Sequence, residues 1–314
     1  MRNTLNKWGA EKKPFVFLID FECTKPMAWL VNECPEMFKY NFQGITNSNN
    51  NLVSKKKFEF EKNPISFELY ETKLKQIKKE IELGNSFLVN LTVQTPTQSN
   101  FSLEEIFEQS KSKYKILLQG NFVCFSPETF VKINNGIIYS FPMKGTIDAT
   151  IENAKELILN DQKEEAEHAT IVDLIRNDLS IIAKNVTVNR YRYYEEIQTQ
   201  HGLIGQVSSE IAASLPTDYN ERIGDLIFHL LPAGSVSGAP KKKTLEIIHD
   251  VESAKRDYYT GVAGYFDGQN LDSCVLIRFL QNDGIYRSGG GITFQSNLNA
   301  EYQEMINKIY VPIY

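Results

Sequence analysis

The sequence predicts a protein that combines β-strands and α-helices in one continuous unit. Alternating apolar and polar residues, as in 86–94 and 129–133, are typical of strands that pack one face against a core. Longer segments, such as 68–83 and 300–310, repeat apolar residues at helical spacing. No Pro/Gly/Ser-rich linker divides the 314 residues into separate domains.

Composition and charge narrow the class of function. Hydrophobic residues make up 42% and charged residues 23%, which is ordinary for a soluble globular protein, and the net charge of −5 argues against nucleic acid as a partner. No apolar run reaches membrane-spanning length, and Phe15–Ile19 is too short for a signal peptide, so we predict a cytoplasmic location and no membrane partner. Cys23, Cys34, Cys124 and Cys274 form no CxxC pair, so we expect reduced thiols rather than a zinc site.

The first part of the chain predicts mostly strands. Residues 1–67 are interpreted as a reduced N-terminal β-rich lobe that belongs to the same domain as the rest, with a strand at Phe15–Ile19. A helix is predicted over 68–83 and a strand over 86–94. One face of that strand is polar except for Leu88, so we expect this face to line a cavity or to face water.

A hairpin is predicted over 129–141. Asn134-Asn135-Gly136 separates two alternating segments, and Asn-Gly supplies the positive φ angles of a tight hairpin turn. Pro142 has no N–H to donate and should end this ladder. Lys144 is therefore expected in a strand-to-helix loop, beside Gly145, where a ligand can approach the backbone. Taken alone, this pattern is typical of an exposed surface lysine.

The second half of the chain predicts alternating helices and strands. The predicted helices cover 151–182, 203–215, 222–231 and 300–310, and the predicted strands cover 186–194, 261–266, 272–281 and 284–293. The Gly/Ser-rich segment 234–240 is expected to enter a further helix at Pro240, and it could hold an anion at that helix N-terminus.

Two pairs of glutamates suggest a metal site. Glu164 and Glu167 are three residues apart on one predicted helix, and Glu301 and Glu304 are three apart on the last helix, so each pair lies on one side of its helix. Two such helices facing each other would provide the oxygen ligands that Mg²⁺ prefers. A solvated helix surface is the alternative, but the position of Glu167 on the apolar stripe of Ile171 indicates that it points inward.

Three consecutive glycines and one arginine indicate a ligand site near the end of the chain. The glycines of Ser288–Gly291 interrupt a strand pattern, which either close approach of a ligand to the backbone or a bulge would explain. Arg278 lies inside the predicted strand 272–281, where a charge needs a partner. A ligand carboxylate or an internal salt bridge would satisfy it equally.

Five co-linear motifs resemble the chorismate-utilising enzymes, a family that contains anthranilate synthase component I, aminodeoxychorismate synthase component I, isochorismate synthase and salicylate synthase. The motifs are 141–146, 167–179, 234–241, 289–292 and 301–304. The resemblance identifies 68–314 as a chorismate-binding catalytic core. It implies an α+β fold, a two-sheet β-sandwich with flanking helices, with the active site between the sheets.

The resemblance also implies a cofactor and a substrate. Glu167 and Glu304 would hold Mg²⁺, with Glu164 and Glu301 assisting through water, and the metal would bind the ring carboxylate of chorismate. The residues that the resemblance places against the substrate are Gly145, Thr146, Tyr259, Arg278, Gly289, Gly291 and Lys308. Of these, Tyr259, Arg278 and the backbone near the glycines would contact the enolpyruvyl carboxylate.

Lys144, Glu128 and Leu88 distinguish the reactions of the family. Lysine at 144 resembles aminodeoxychorismate synthases, whereas anthranilate synthases usually have alanine. The resemblance implies that Lys144 attacks ring position 2 while the hydroxyl at position 4 leaves, protonated by Glu128. This role requires a neutral amine, so a depressed pKa of Lys144 near Mg²⁺ is expected. Leu88 replaces the lysine that activates water in isochorismate and salicylate synthases, and also the glutamine that is usual in amine-forming members.

A displaced histidine favours a product that keeps the enolpyruvyl group. The family usually places a histidine, linked in anthranilate synthase to aromatisation, where Gly202 lies here; His201 precedes that position. We therefore predict amination of chorismate to 4-amino-4-deoxychorismate for 4-aminobenzoate and folate synthesis, with ammonia from a separate glutamine amidotransferase subunit. The alternatives are anthranilate formation and a non-catalytic relative that binds only chorismate or a partner. A pyridoxal phosphate site at Lys144 lacks accompanying residues.

Overall fold

The computed structural model describes residues 1–49, 56–199, 202–252 and 254–313. The helices in these ranges are α1 (Arg2–Ala10), α2 (Phe67–Glu82), α3 (Leu103–Gln109), α4 (Ala154–Asn160), α5 (Gln162–Ile182), α6 (Ile223–His229), α7 (Lys241–Glu252) and α8 (Leu298–Asn307). The strands of the first half are β1 (Phe15–Ile19), β2 (Met27–Leu30), β3 (Phe38–Phe42), β4 (Ile45–Thr46), β5 (Phe60–Lys62), β6 (Leu88–Ser99), β7 (Tyr114–Leu118), β8 (Phe122–Ser126), β9 (Thr129–Asn134), β10 (Ile137–Ser140) and β11 (Met143–Asp148). The remaining strands are β12 (Lys184–Thr199), β13 (Gly202–Ser214), β14 (Gly238–Ala239), β15 (Val262–Phe266), β16 (Leu271–Val275), β17 (Phe279–Gln281) and β18 (Ile285–Ile292).

The strands form two antiparallel sheets. In the described residues, the first sheet has the order β11-β13-β10-β9-β16-β15-β1-β2, and β12 also pairs with β13. The second has the order β14-β6-β18-β17-β8-β7-β3-β4, and β5 also pairs with β6. Sequential strands such as β9 and β10 are neighbours, whereas β6 and β18 come from distant parts of the chain.

The two sheets pack face to face through an apolar layer. Val16 and Leu18 of β1 meet Phe38 and Tyr40 of β3 in this layer, and all four are almost completely buried. Burying each such side chain stabilises the fold by about 1.5–3 kcal/mol. Helices α5 and α6 cover the other face of the first sheet, and α2, α7 and α8 cover the second. The predicted α+β class, a two-sheet β-sandwich with flanking helices, is confirmed.

The predicted hairpin is present, but the segment after it is a strand. The turn between β9 and β10 uses Asn135 (φ 50°) and Gly136 (φ 78°). Pro142 then separates β10 from β11, and both pair with β13. Lys144 therefore lies in β11 and not in a strand-to-helix loop. A register shift between Met143 and Thr146, where the chain bulges, surrounds Lys144 and changes the direction in which this part of the strand projects.

Segment 203–215 is the strand β13 and not the predicted helix. It pairs with β10, β11 and β12, and its Val207, Ile211 and Ala213 are buried. Its alanines favour a helix and its isoleucines and valine favour a strand, so local preference does not decide between them. Strand pairing along both edges decides the conformation, as tertiary context commonly does for strands.

Two further predicted elements are each divided in two. The predicted strand 272–281 consists of β16 in the first sheet and β17 in the second, and Arg278 (φ 55°) lies at the crossing rather than inside a strand. The predicted helix 151–182 is divided into α4 and α5 at Asp161. The Asp161 carboxylate accepts a hydrogen bond from the N–H of Glu164 at 3.0 Å, so it caps the start of α5.

The first 67 residues contribute strands to both sheets. They also contain α1, which the sequence analysis did not predict; its Leu5 is fully buried, and the backbone of Arg2 lies against Gly224 of α6. The division of the chain at residue 67 stays a prediction. No helix in the described ranges combines the length and the apolar character needed to cross a bilayer. All four cysteines are free thiols.

Candidate functional site

Acidic and basic side chains converge where β11 of the first sheet approaches β18 of the second. The amine of Lys144 forms an ion pair with Glu167 of α5, whose side chain is only 5% exposed. Nζ of Lys163 lies 3.6 Å from Oε1 of the same glutamate and 3.7 Å from Oε1 of Glu301 on α8. The structure thus brings together carboxylates of both acidic helices and the amine of residue 144.

The glycines of β18 keep space open beside these groups. A side-chain carbon at Gly290 would lie 3.5 Å from Oε1 of Glu304 and 3.6 Å from Oε2 of Glu301. One at Gly291 would lie 3.8 Å from Nζ of Lys144. Any larger residue would therefore fill the volume between the acidic side chains and the lysine. The glycines do not interrupt the strand; they lie within β18, paired with β6.

Lys308 connects α8 to this glycine strand. Its amine lies 2.6 Å from Oε1 of Glu304 and donates a hydrogen bond to the carbonyl of Gly289 at 2.9 Å. Burial lowers the pKa of Lys308, and the neighbouring Arg278 adds to this, although Glu304 opposes both. The positive charges of Lys308 and Arg278 therefore act on each other in this part of the cleft.

The pKa of Lys144 is raised in the metal-free arrangement, and the depressed pKa expected near Mg²⁺ stays a prediction. Burial alone would lower this pKa, but the charge of Glu167 and its hydrogen bond outweigh burial, and Glu304 and Glu164 act in the same direction. In this arrangement the side chain is an ammonium group held by Glu167. A neutral Lys144 requires that another cation take over this carboxylate.

The acidic side chains suit a hard divalent cation in charge and chemistry. Burial raises the pKa of Glu164 and of Glu301, and the neighbouring carboxylates of Glu167 and Glu304 raise these pKa values further. Such crowded oxygens are the ligands that Mg²⁺ takes in proteins. Within the described residues, no three or more His, Cys, Asp or Glu side chains stand close enough to hold a metal ion as arranged. Lysine amines form ion pairs with several of these carboxylate oxygens and would compete with the metal for them.

Replacing Glu301 with glutamine is expected to raise the melting temperature of the metal-free protein at pH 7. Because the pKa of Glu301 is raised in the fold, its ionisation opposes folding, and this penalty appears as pH rises through the unfolded and then the folded pKa. Glutamine still accepts the 2.7 Å hydrogen bond from Ser296. The gain should disappear at pH 4, and added MgCl₂ should stabilise the variant less than the wild type.

Glu304→Gln is the matched control for this measurement. The ion pair with Lys308 lowers the pKa of Glu304 despite burial, so its ionisation supports the fold. The control should therefore melt at a lower temperature than the wild type at pH 7. A rise in both variants would contradict the assigned role of Glu301.

Glu128 and Arg278 lie near Lys308 on the other side of the cleft. Glu128 accepts a hydrogen bond from the hydroxyl of Ser235; burial raises the pKa of Glu128, while Ser235 and Arg278 oppose the rise. The Arg278 guanidinium lies 5.5 Å from the centroid of the Tyr310 ring. In the part of the chain that the structure describes, no carboxylate forms an ion pair with Arg278, and its buried Nε lacks a hydrogen-bond partner. This cation therefore remains available for a ligand carboxylate.

The remaining predicted residues differ in their placement. Tyr259 is buried against Phe279, with ring centroids 5.8 Å apart. Leu88 is 4% exposed and would lie 3.0 Å from a side-chain carbon at Gly291, so it forms part of the cleft wall. Thr146 is exposed and pairs with β13, which places it at the rim. The prediction about His201 falls outside the described residues.

Sequence reasoning missed Arg256, which holds the loop that carries Ser235. Its guanidinium donates to the carbonyls of Val236 and Asn90, each at 2.7 Å, and pairs with Glu252 at 2.5 Å. It therefore fixes the 234–240 loop against β6. The local sequence, with charged neighbours on both sides, looks like a surface segment and contains no signal for this role.

Comparisons with known proteins identify the family to which this chain belongs. The model of a family described as chorismate binding enzyme matches residues 17–313. An uncharacterized PabA-like protein of Pasteurella multocida (strain Pm70) is 48% identical over 313 residues, which cover 98% of this chain and 97% of that protein. Aminodeoxychorismate synthase component 1 of Escherichia coli (strain K12) is 33% identical over 261 residues, which cover 77% of this chain and 56% of that protein.

A solved structure shares the fold. Anthranilate synthase component I from Streptococcus pneumoniae TIGR4 superposes with a TM-score of 0.69 at 26% identity, over 83% of this chain and 61% of that chain. The match therefore leaves about two fifths of each of these named enzymes uncovered. Because the family model spans nearly the whole sequence, the conclusion does not depend on one motif. The chain belongs to the family of chorismate binding enzymes.

Proposed function

We propose that this protein is the chorismate-aminating component of an aminodeoxychorismate synthase, which converts chorismate and ammonia to 4-amino-4-deoxychorismate. The observation that carries the proposal is the position of the Lys144 amine. It contacts Glu167 and faces the open volume at Gly291. A lysine in this position provides a nucleophile within the same cleft as the acidic side chains.

The chain's own residues account for each part of the reaction. Arg278 and Lys308 bind the enolpyruvyl carboxylate: Arg278 has no carboxylate partner among the described residues, and Lys308 adds a second positive charge although it pairs with Glu304. After losing a proton to water, Lys144 forms a bond to ring carbon 2 as the bond from carbon 4 to its hydroxyl breaks. Glu128 protonates this hydroxyl, which leaves as water. Ammonia then bonds to carbon 4, and the bond to Lys144 breaks.

Glu167 of α5 and Glu304 of α8 would hold Mg²⁺ in this scheme, with Glu164 and Glu301 assisting through water. When bound, the metal would offset part of the negative charge of these side chains and of the ring carboxylate of chorismate. Leu88 forms an apolar wall beside Gly291. Because leucine offers no base to activate water, it disfavours the attack of water at ring position 2.

The proposal includes a partner and a cellular role. The E. coli relative is named as component 1 of its synthase, which supports a second subunit here. We assign to that subunit a glutamine amidotransferase activity that supplies ammonia. The product would serve 4-aminobenzoate and folate synthesis in the cytoplasm.

Anthranilate synthesis is the second candidate. The similarity to the Streptococcus pneumoniae enzyme favours it. Lysine at position 144, in place of the alanine usual in anthranilate synthases, argues against it. The two reactions give different products from the same substrates, so one incubation separates them.

Product identification tests the proposal. We expect the purified protein with chorismate, MgCl₂ and ammonium to form 4-amino-4-deoxychorismate, identified by mass spectrometry and converted to 4-aminobenzoate when the matching lyase is added. Glu128→Gln should reduce this rate by about 10²–10⁴-fold, because it removes the general acid while keeping a group of similar size. Direct formation of fluorescent anthranilate would overturn the proposal. No consumption of chorismate would favour a non-catalytic relative.

A further inference from the structure

A second cavity lies behind Glu128, between the first sheet and helix α5. We call it the rear cavity; Glu128, Ser140, Asp178, Leu179 and Ser235 are among its walls. The space that it leaves for water is about 30 Å³, enough for about two water molecules. None of the four glutamates of the acidic cluster lines it. The cavity therefore reaches the general acid by a side that the substrate and metal groups do not use.

Polar groups connect Glu128 to the outside through this cavity. The Ser235 hydroxyl donates its hydrogen bond to Oε1 of Glu128. Asp178, with a side chain 15% exposed, lines the cavity and pairs with Lys241 at 3.0 Å. A side-chain carbon at Gly234 would lie 3.0 Å from Oδ2 of Asp178, so this carboxylate adjoins the turn that carries Ser235. Other wall residues are apolar, such as Ile175, Leu179 and Leu230.

The proposed reaction removes a proton from Glu128 in every turnover, so Glu128 needs a route to a new proton. The inference therefore rests on the proposed function. Glu128 gives its proton to the hydroxyl that leaves as water. The product amine is an aliphatic amine, whose pKa lies above neutral pH, so at neutral pH it keeps the proton that it brings. Glu128 must therefore take up a proton from solvent before the next turnover.

We propose that the rear cavity is the path by which Glu128 regains its proton, and that Ser235 transfers it. A proton from solvent enters past Asp178 to water in the cavity. The Ser235 oxygen accepts this proton from water as its own O–H bond breaks and a new O–H bond forms on Glu128. The serine is unchanged at the end, the carboxylate becomes neutral, and no group is oxidised or reduced. Arg278, Lys308 and Lys113 face Glu128 and Lys241 faces Asp178, so cations border both ends.

Ser235→Ala tests the proposal through the time course of chorismate loss after rapid mixing. Glu128 exchanges protons with solvent before mixing, when proton return is not limiting, so the first turnover should match the wild type. Later turnovers should be about tenfold slower or more, because proton return becomes limiting. Imidazole buffer, a small proton donor, should accelerate only the later turnovers. Ser235→Thr keeps the hydroxyl and should behave like the wild type, and Asp178→Asn should show the same burst as the alanine variant.

Three results would overturn this assignment. If the first turnover in Ser235→Ala slows as much as the later ones, with no effect of imidazole, the serine only positions Glu128. If all turnovers remain at the wild-type rate, the path lies elsewhere. If Asp178→Asn, checked for folding by thermal melting, shows no burst, the proton does not enter the cavity past Asp178. Anthranilate as the wild-type product would reject the proposed function, whereas chorismate loss still reports separately on the proton path.

Discussion

Replacing Lys144 with alanine is expected to lower the rate of 4-amino-4-deoxychorismate formation by about a thousandfold or more, because the variant lacks the nucleophile of the first step. The backbone of β11 should persist, since its pairing with β13 does not involve the side chain. Steady-state assays with chorismate, MgCl₂ and ammonium measure this loss. Intact-mass analysis of denatured wild type incubated with chorismate, but without ammonium, should detect a covalent adduct that Lys144→Ala lacks.

Lys163→Ala is the matched control. Both amines contact Glu167, but Lys163 projects from α5 and also approaches Glu301. Its removal changes the charge near the acidic cluster without removing the proposed nucleophile, so its rate should stay within about tenfold of the wild type. Equal activity in the two variants would show that Lys144 contributes only its charge, and the covalent role would be rejected.

The sequence predicted the members of the site better than the elements that carry them. Glu167, Lys144 and Gly291 belong to separate motifs, and the structure brings them together from α5, β11 and β18. The motifs of Glu167 and Gly291 combine residue types that are costly without a ligand, crowded carboxylates and consecutive glycines in a strand. Such local costs can be recognised without knowledge of the fold, whereas Lys144 was identified only by the resemblance to a known family.

The element errors have a common physical origin. The strand β13 is determined by pairing along both of its edges, which its alanines and serines do not encode locally. The crossing at Arg278 requires a positive φ at a residue that is not glycine, and nothing in the surrounding sequence marks it. The raised pKa of Lys144 likewise depends on the position of Glu167, which only the folded chain defines.

Arg256→Met is expected to lower the free energy of unfolding by about 3–5 kcal/mol, the usual result of removing one partner from a buried ion pair. The arginine is 1% exposed and Glu252 4% exposed, so the remaining carboxylate would be buried without its cation. The carbonyls of Val236 and Asn90 would also lose a donor. Urea unfolding should show a lower midpoint with an unchanged slope.

Two further variants distinguish the stability cost of an unpaired buried charge from the general effect of removing an arginine. Arg176→Met removes an exposed arginine that pairs with Asp173 at 3.4 Å, and it should change the unfolding free energy by less than about 0.5 kcal/mol. Adding Glu252→Gln to Arg256→Met should recover part of the lost stability, because glutamine still accepts the 2.8 Å hydrogen bond from the N–H of Thr92 without burying a charge. If the double variant is no more stable than Arg256→Met, the penalty comes from the lost contacts to the 234–240 loop and not from the unpaired carboxylate.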